Sequence, residues 1–234
     1  ILYRTNAQSR LLEEKLIVRN VPYRIYGGIN FYQRKEIKDI LAYMRLIFNP
    51  LDTMSLRRVI NVPSRKIGEK SVETFLEYVH NLRASFSEVT EGIDEMDELT
   101  PQARRGITGF NGLYNELTEY LREHSIKELM EEIIKKTQYI DYLRHEYGES
   151  ESESKEENLK EFANMASRYQ GMESREALMM FLEDIALITG HSISKKVPVL
   201  HSNYIHRSPQ RVRERQVAAL AKYNPPLVLP VYQR

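Results

Sequence analysis

The chain has 234 residues, 41% of them hydrophobic and 29% charged, with 15 Tyr and neither Trp nor Cys. That is enough apolar content for a sizeable core, and the charge content is that of a globular domain rather than a disordered one. The lack of Cys excludes disulfides, thiolate metal sites and a cysteine nucleophile together, and no apolar run reaches the roughly 18 residues a membrane-spanning helix needs. The chain opens Ile1-Leu2-Tyr3-Arg4 with neither an initiator Met nor a signal peptide, so it is expected to be cut from something longer.

The net charge of +1 conceals an asymmetry. Residues 191–234 carry eight Lys/Arg against Glu214 alone, a net of +7, which leaves the first 190 residues at −6. Any nucleic-acid contact in those 190 residues must come from local patches rather than from the overall field.

In chain order, Ile1-Leu2-Tyr3 reads as the end of a buried strand. Ser9 can cap a helix with Leu11, Leu12, Leu16 and Ile17 as its apolar stripe, stopped by Asn20-Val21-Pro22. Tyr23 to Tyr26 alternates as a second strand before Gly27-Gly28, and the strand, helix, strand order suits one βαβ unit of a parallel sheet. Helices then take over. Ile37, Ile40, Leu41, Met44, Ile47 and Phe48 recur at helical spacing, and Asn49-Pro50 ends that run. Further helices are predicted over Met54 to Val62, from about Lys70 to Leu82, and from the Thr100-Pro101 start onward. Ser125 opens another, carrying Ile126, Leu129, Met130, Ile133, Ile134 and Ile140. The Glu/Ser alternation of Gly148 to Glu157 reads as an exposed loop. Two more helices follow, near 156–169 and 174–188. The last 44 residues show no periodicity. The fold class is therefore mainly α with a small α/β portion at the front.

Three blocks go further. Ile1-Leu-Tyr-Arg-Thr-Asn-Ala-Gln-Ser-Arg10, Pro22-Tyr-Arg-Ile-Tyr-Gly-Gly28 with Phe31-Tyr-Gln-Arg-Lys-Glu-Ile-Lys-Asp39, and Ile60-Asn-Val-Pro-Ser-Arg-Lys-Ile-Gly68 come in the order and at the spacing of UvrD/PcrA-type superfamily 1 DNA helicases, which the chain resembles. The resemblance implies an incomplete RecA-like second motor domain with its hairpin over 1–95, a helical insertion domain over 96–190, and an irregular basic tail, 191–234, that does not match the family. It implies a fragment of an ATP-driven 3′ to 5′ DNA helicase of repair or replication, cytoplasmic and nucleoid-associated in a bacterium. The insertion would touch duplex DNA and regulate unwinding by swivelling.

By that resemblance Tyr3 stacks on adenine and Arg4 reaches the γ-phosphate across the domain cleft as the catalytic arginine. The residue types suit those roles, since an aromatic face accepts a base and a guanidinium fork holds phosphate. ATP and Mg²⁺ would serve the parent protein. Neither is expected to bind this fragment well, because no Gly-x-x-x-x-Gly-Lys-Ser/Thr loop occurs in it. The expected partners are DNA at a single-strand/duplex junction, the first motor domain of the same helicase, and repair or transcription proteins, with no membrane.

The segment Pro63 to Gly68 sits between two helices as a hairpin does in helix-hairpin-helix DNA binders, with Arg65, Lys66, Gly68 and Lys70 as candidate phosphate contacts. The family usually has Gly where this chain has Lys66. An ordinary helix-helix turn is the alternative. Arg104 and Arg105 are candidates for a second duplex contact, against the alternative of two exposed arginines on an amphipathic helix. Arg34, Lys35 and Lys38 face DNA or a partner domain, or simply solvent, and Glu36 and Asp39 are read as capping and salt-bridging residues. Basic segment 207–215 could bind nucleic acid nonspecifically or be a disordered tail. The six His show no metal spacing, and no metal site is expected. The competing function is a stand-alone helical protein-interaction module without DNA or ATP activity.

Overall fold

The two short strands at the front are drawn together by a third from far along the chain. β1 (Leu2–Tyr3) and β2 (Arg24–Tyr26) both pair in parallel with β3 (Val199–Ser202), which lies between them. Leu2 is opposite His201 on one side of β3, and Arg24 is opposite Val199 on the other. The βαβ expectation thus gains a central strand from the stretch whose sequence showed no periodicity. Everything between β2 and β3 is an insertion into this sheet.

The computed structural model describes residues 30–191 continuously, together with the three strands and positions 12, 13, 15, 16, 19 and 21. Of the helix expected after Ser9, positions 12–13 and 15–16 are described and are helical, while Ser9, Leu11 and Ile17 lie outside the described residues. So do Arg4, Gly27, Gly28 and basic segment 207–215.

The described part of the insertion is helical from Phe31 onward. A 3₁₀ turn, Phe31–Gln33, leads into α1 (Lys35–Phe48), followed by α2 (Thr53–Val59), α3 (Glu69–Leu82), α4 (Phe86–Glu91), α5 (Pro101–Tyr120), α6 (Ile126–Lys136), α7 (Tyr139–Tyr147), α8 (Glu149–Met165) and α9 (Ser174–His191). Local chemistry sets the starts. Asp52 accepts from the Ser55 amide at 3.0 Å, Thr100 accepts from Ala103 at 3.2 Å with Pro101 behind it, and Ser85 and Ser125 each form a capping box with the Glu three residues on.

α1 is the central helix. It buries ten of its fourteen residues, including Ile37, Ile40, Tyr43 and Met44, so almost its whole circumference is covered. It packs on α2, α5, α6, α8 and α9. The core runs from Phe31 through Phe75, Phe110 and Ile133 to Phe181 and Ile185 as one cluster. That cluster includes residues on both sides of position 95.

Two expectations are corrected. The helix from Ser125 stops at Lys136. Thr137 turns its hydroxyl onto the Ile133 carbonyl (2.7 Å) and Gln138 takes left-handed backbone (φ 52°), so α7 restarts with Tyr139 pointing into the core. The Glu/Ser run is no loop. Gly148 (φ 75°) starts α8, whose acidic first turn suits the helix dipole. Within it Lys155 pairs with Glu151 (3.3 Å), Lys160 pairs with Glu156 (2.8 Å), and Ser152 is buried against the Glu149 carbonyl (2.7 Å).

Candidate nucleic-acid interface

Residues 60–68 form a hairpin between α2 and α3, and two side chains hold it from inside. Asn61 accepts from the amides of Arg65 (2.8 Å) and Ile67 (3.2 Å) and donates to the Ile67 carbonyl (2.9 Å). Arg65 directs Nη1 at the carbonyls of Val59 (3.0 Å), Ile60 (3.2 Å) and Pro63 (3.2 Å), and Nη2 at the Tyr43 hydroxyl (2.8 Å). The Arg65 guanidinium also lies over the Phe110 ring of α5, 5.0 Å from its centroid. Tyr43, buried on α1, donates in turn to the Val62 carbonyl at 2.8 Å. Burial pushes the Tyr43 phenol above its ordinary pKa, although the nearby Arg65 charge opposes this. It remains a neutral donor at physiological pH.

The outer side of the hairpin is different. Ser64, Lys66, Gly68, Glu69 and Lys70 are all exposed. Lys66 has left-handed backbone (φ 59°), a conformation that Gly adopts without strain. That explains why a Gly suits this position and shows that the tight geometry is reached with Lys. α3 opens at Gly68 with no side-chain cap, leaving its first N–H groups without a side-chain acceptor at the positive end of the helix dipole. An uncapped helix start flanked by Lys66 and Lys70 favours a phosphate group; Glu69 in the same turn opposes it.

The other candidates divide. Arg104 bonds the carbonyls of Asp94 (3.1 Å) and Met96 (2.9 Å) and pairs with Asp97 at 3.6 Å, bracing the turn before α5. Arg105 is exposed and stands next to Gly106, where α5 meets the hairpin backbone. Arg34 and Lys35 belong to an internal polar cluster. Arg34 donates to Asn158 (2.6 Å), which donates to Glu36 (2.8 Å); Asp39 receives Lys35 (3.0 Å), Arg58 (2.7 Å) and the Tyr139 hydroxyl (2.7 Å). Burial lowers the Lys35 pKa, but the Tyr142 hydroxyl and Asp39 more than offset that and leave it raised. Tyr139 is pushed well up, by burial first and then by the Asp39 charge. Lys155 pairs with Glu36 at 3.5 Å, so Glu36 and Asp39 both salt-bridge as read from the sequence, but neither caps α1, which starts with no side-chain cap.

A cavity of about 510 Å³ lies elsewhere, lined by Glu116, Glu119, Glu123 and Glu132 around the stacked rings of Tyr120 and His124. Its lining is net acidic, four Glu against Lys136, although Lys136, Arg122 and Lys135 pair with Glu116, Glu119 and Glu132; the hairpin, with its exposed lysines, is the better candidate for phosphate. Among the described residues no three His, Asp or Glu converge as a metal site requires, and no helix is long and apolar enough to cross a membrane. Tyr3 ends β1, at the carboxyl edge of a parallel sheet where ligands of such sheets bind. Sequence reasoning missed Tyr43, Asn61 and Gly106, whose roles depend on contacts across the fold. Asn61 lay within a quoted block, but nothing in its type announced an inward bracket.

A parallel sheet interrupted by a helical body with a basic hairpin defines the class, and the comparisons give the family. The model of the UvrD-like helicase C-terminal domain matches residues 1–202, and the chain belongs to that family. The match takes in β3 and the rest of 191–202, a stretch expected from the sequence to fall outside it. The chain is 40% identical over 188 residues to the ATP-dependent DNA helicase PcrA of Bacillus subtilis (strain 168), covering 80% of this chain and 25% of that protein. It is 39% identical over 190 residues to PcrA of Staphylococcus epidermidis and 38% identical over 190 to PcrA of Staphylococcus aureus, covering 80% of the chain and 26% of each relative. The chain thus spans about a quarter of the length of the curated relatives it matches.

Proposed function

We propose that this chain is the part of an ATP-dependent 3′ to 5′ DNA helicase that grips duplex DNA beside the single-strand junction. The observation that carries this is the hairpin's outer face, where the uncapped start of α3 lies between exposed Lys66 and Lys70. Backbone N–H groups and lysine ammoniums bind phosphate without reading bases, as a translocating enzyme requires. Arg105, exposed and one residue before Gly106, where α5 meets the hairpin, would add a further cation near it. In the complete enzyme Tyr3 would stack on adenine and Arg4 would reach the γ-phosphate, with ATP and Mg²⁺ supplying the hydrolysis. The carboxyl-edge position of Tyr3 supports this. This chain by itself should hydrolyse no ATP, because no phosphate-cradling loop occurs in it. The protein would work in the bacterial cytoplasm at the nucleoid, in repair or replication.

Fluorescence anisotropy of the 234-residue chain with a duplex bearing a 3′ tail, across a salt series, tests the reading. Affinity should fall with salt, and the Lys66→Ala/Lys70→Ala pair should reduce the log–log slope by about 0.9 per lost phosphate contact. Absence of binding at low salt, with salt-insensitive capture of a protein partner instead, would favour the protein-interaction module.

A further inference from the structure

We infer that Arg65, although it lies in the basic hairpin, does not hold phosphate but positions the groups that do; this rests on the duplex-binding reading. A guanidinium has five N–H donors in a fixed fork. Nη1 of Arg65 is shared among three carbonyls, Nη2 meets the Tyr43 hydroxyl, and one face lies over Phe110. Two of the carbonyls, Val59 and Ile60, close α2, where terminal carbonyls lack helical partners. Arg65 is thus the cap of α2 and the tie from α2 to the hairpin. A phosphate that recruited Arg65 would strip the Ile60 and Pro63 carbonyls and a buried phenol of their Arg65 donor at once, while the Val59 carbonyl would keep only the Val62 amide at 3.1 Å.

The second consequence concerns direction. The Arg65 and Ile67 amides both bond to the Asn61 side chain, pinning the backbone on either side of Lys66. Lys66 is then left in its left-handed conformation with an exposed side chain. Tyr43 completes the frame by bonding Arg65 and Val62 together. Tyr43, Asn61 and Arg65 are positioning residues; Lys66, Lys70 and the α3 start are the phosphate contacts.

The test is the salt dependence of duplex binding by the 234-residue chain, combined with amide hydrogen exchange at 65–67. Arg65→Gln removes the charge and the fork, while Tyr43→Phe removes one hydroxyl and leaves the packed ring, so that variant should fold. Both should lower affinity about five-fold or more, the scale of one lost hydrogen bond, with the salt slope unchanged and exchange at 65–67 accelerated. Lys66→Ala should instead lower the slope by about 0.9. A slope loss of that size in Arg65→Gln would overturn the inference, because it would make Arg65 a phosphate contact. Unchanged affinity and unchanged exchange in Tyr43→Phe would overturn it too. Should the parent chain not bind duplex at all, the binding reading fails by itself. The exchange at 65–67 still decides the frame.

Discussion

Gly106 lies directly against Arg65. A β-carbon on Gly106 would stand 2.8 Å from the Arg65 carbonyl oxygen and 2.7 Å from Ile67 Cγ1. The hairpin is therefore seated on α5 by a bare α-carbon at one point and by the Phe110 ring one turn further on. Gly109 and Gly112 lie on the same helix, and a β-carbon on either would have nothing within 4 Å. The three glycines separate two effects that usually mix. Each Gly→Ala change gains about 1 kcal/mol of helix propensity. At Gly106 the new methyl meets backbone, and overpacking of that kind costs about 1–3 kcal/mol. Gly109→Ala and Gly112→Ala should raise the unfolding midpoint, and Gly106→Ala should fall below both and weaken duplex binding. Equal midpoints for all three in urea unfolding would show that α5 does not depend on this close approach.

Asp39 collects Lys35 from its own helix, Arg58 from α2 and the Tyr139 phenol from α7. It is 1% exposed, whereas Arg58 and Lys35 keep 35% and 37% of their side-chain surface in water. Those cations can turn to solvent when the carboxylate is lost, so the penalty is below that of a fully buried pair. Asp39→Asn should destabilise the chain by about 1–3 kcal/mol, and Tyr139→Phe by about 1 kcal/mol. The double variant should lose less than the two singles together, since Tyr139 donates to the group that Asp39→Asn alters. Additive losses in denaturant unfolding would mean that the 2.7 Å bond contributes nothing.

The apolar spacing of Ile37, Ile40, Leu41, Met44 and Ile47 made α1 legible, and Thr100-Pro101 fixed the start of α5, because both signals are local. The break after Lys136 was hidden. Ile133, Ile134 and Ile140 keep helical spacing across it, and the gain from ending the helix is the distant Tyr139–Asp39 bond. The Glu/Ser run misled for the opposite reason. Its composition is that of a loop, but Glu is a good helix former, and the Lys155–Glu151 and Lys160–Glu156 pairs support the turn. At the hairpin, the order of the blocks located the turn between α2 and α3 and its cluster of cations. It could not separate Arg65 from Lys66: adjacent cations look alike until one is found bonded inward and the other at φ 59°.

The capping boxes of α4 and α6 predict an acid-labile component of stability. Hydrogen bonds from the Ser85 hydroxyl and amide hold the Glu88 carboxyl below its usual pKa, and Ser125 does the same for Glu128. A carboxyl depressed in the folded state stabilises it above the unfolded value of 4.5, and that contribution disappears as pH falls through the lower folded value. The thermal midpoint should therefore drop on acidification below about pH 4.5. The Glu88→Gln/Glu128→Gln variant should start lower and drop less, because Gln has no charge to lose. A parallel decline of parent and variant would assign the acid sensitivity to other carboxylates.

Lys66 sets charge against strain at one position. A non-glycine residue in left-handed backbone costs about 1–2 kcal/mol, and Lys66 holds φ 59°. Lys66→Gly removes that strain but adds about 0.5–1 kcal/mol of unfolded-state entropy to be overcome. The two nearly cancel, so the unfolding midpoint should move little and upward if at all. DNA binding should respond quite differently: the hairpin keeps its shape while one ammonium is lost, and the log–log salt slope should fall by about 0.9. Restoring the charge at a nearby position would not restore the slope if the left-handed turn is what aims the side chain. Lys66→Gly combined with Ser64→Lys should therefore keep the reduced slope. Full recovery of the slope in that double variant would reduce the role of Lys66 to net charge on the hairpin, independent of its backbone geometry.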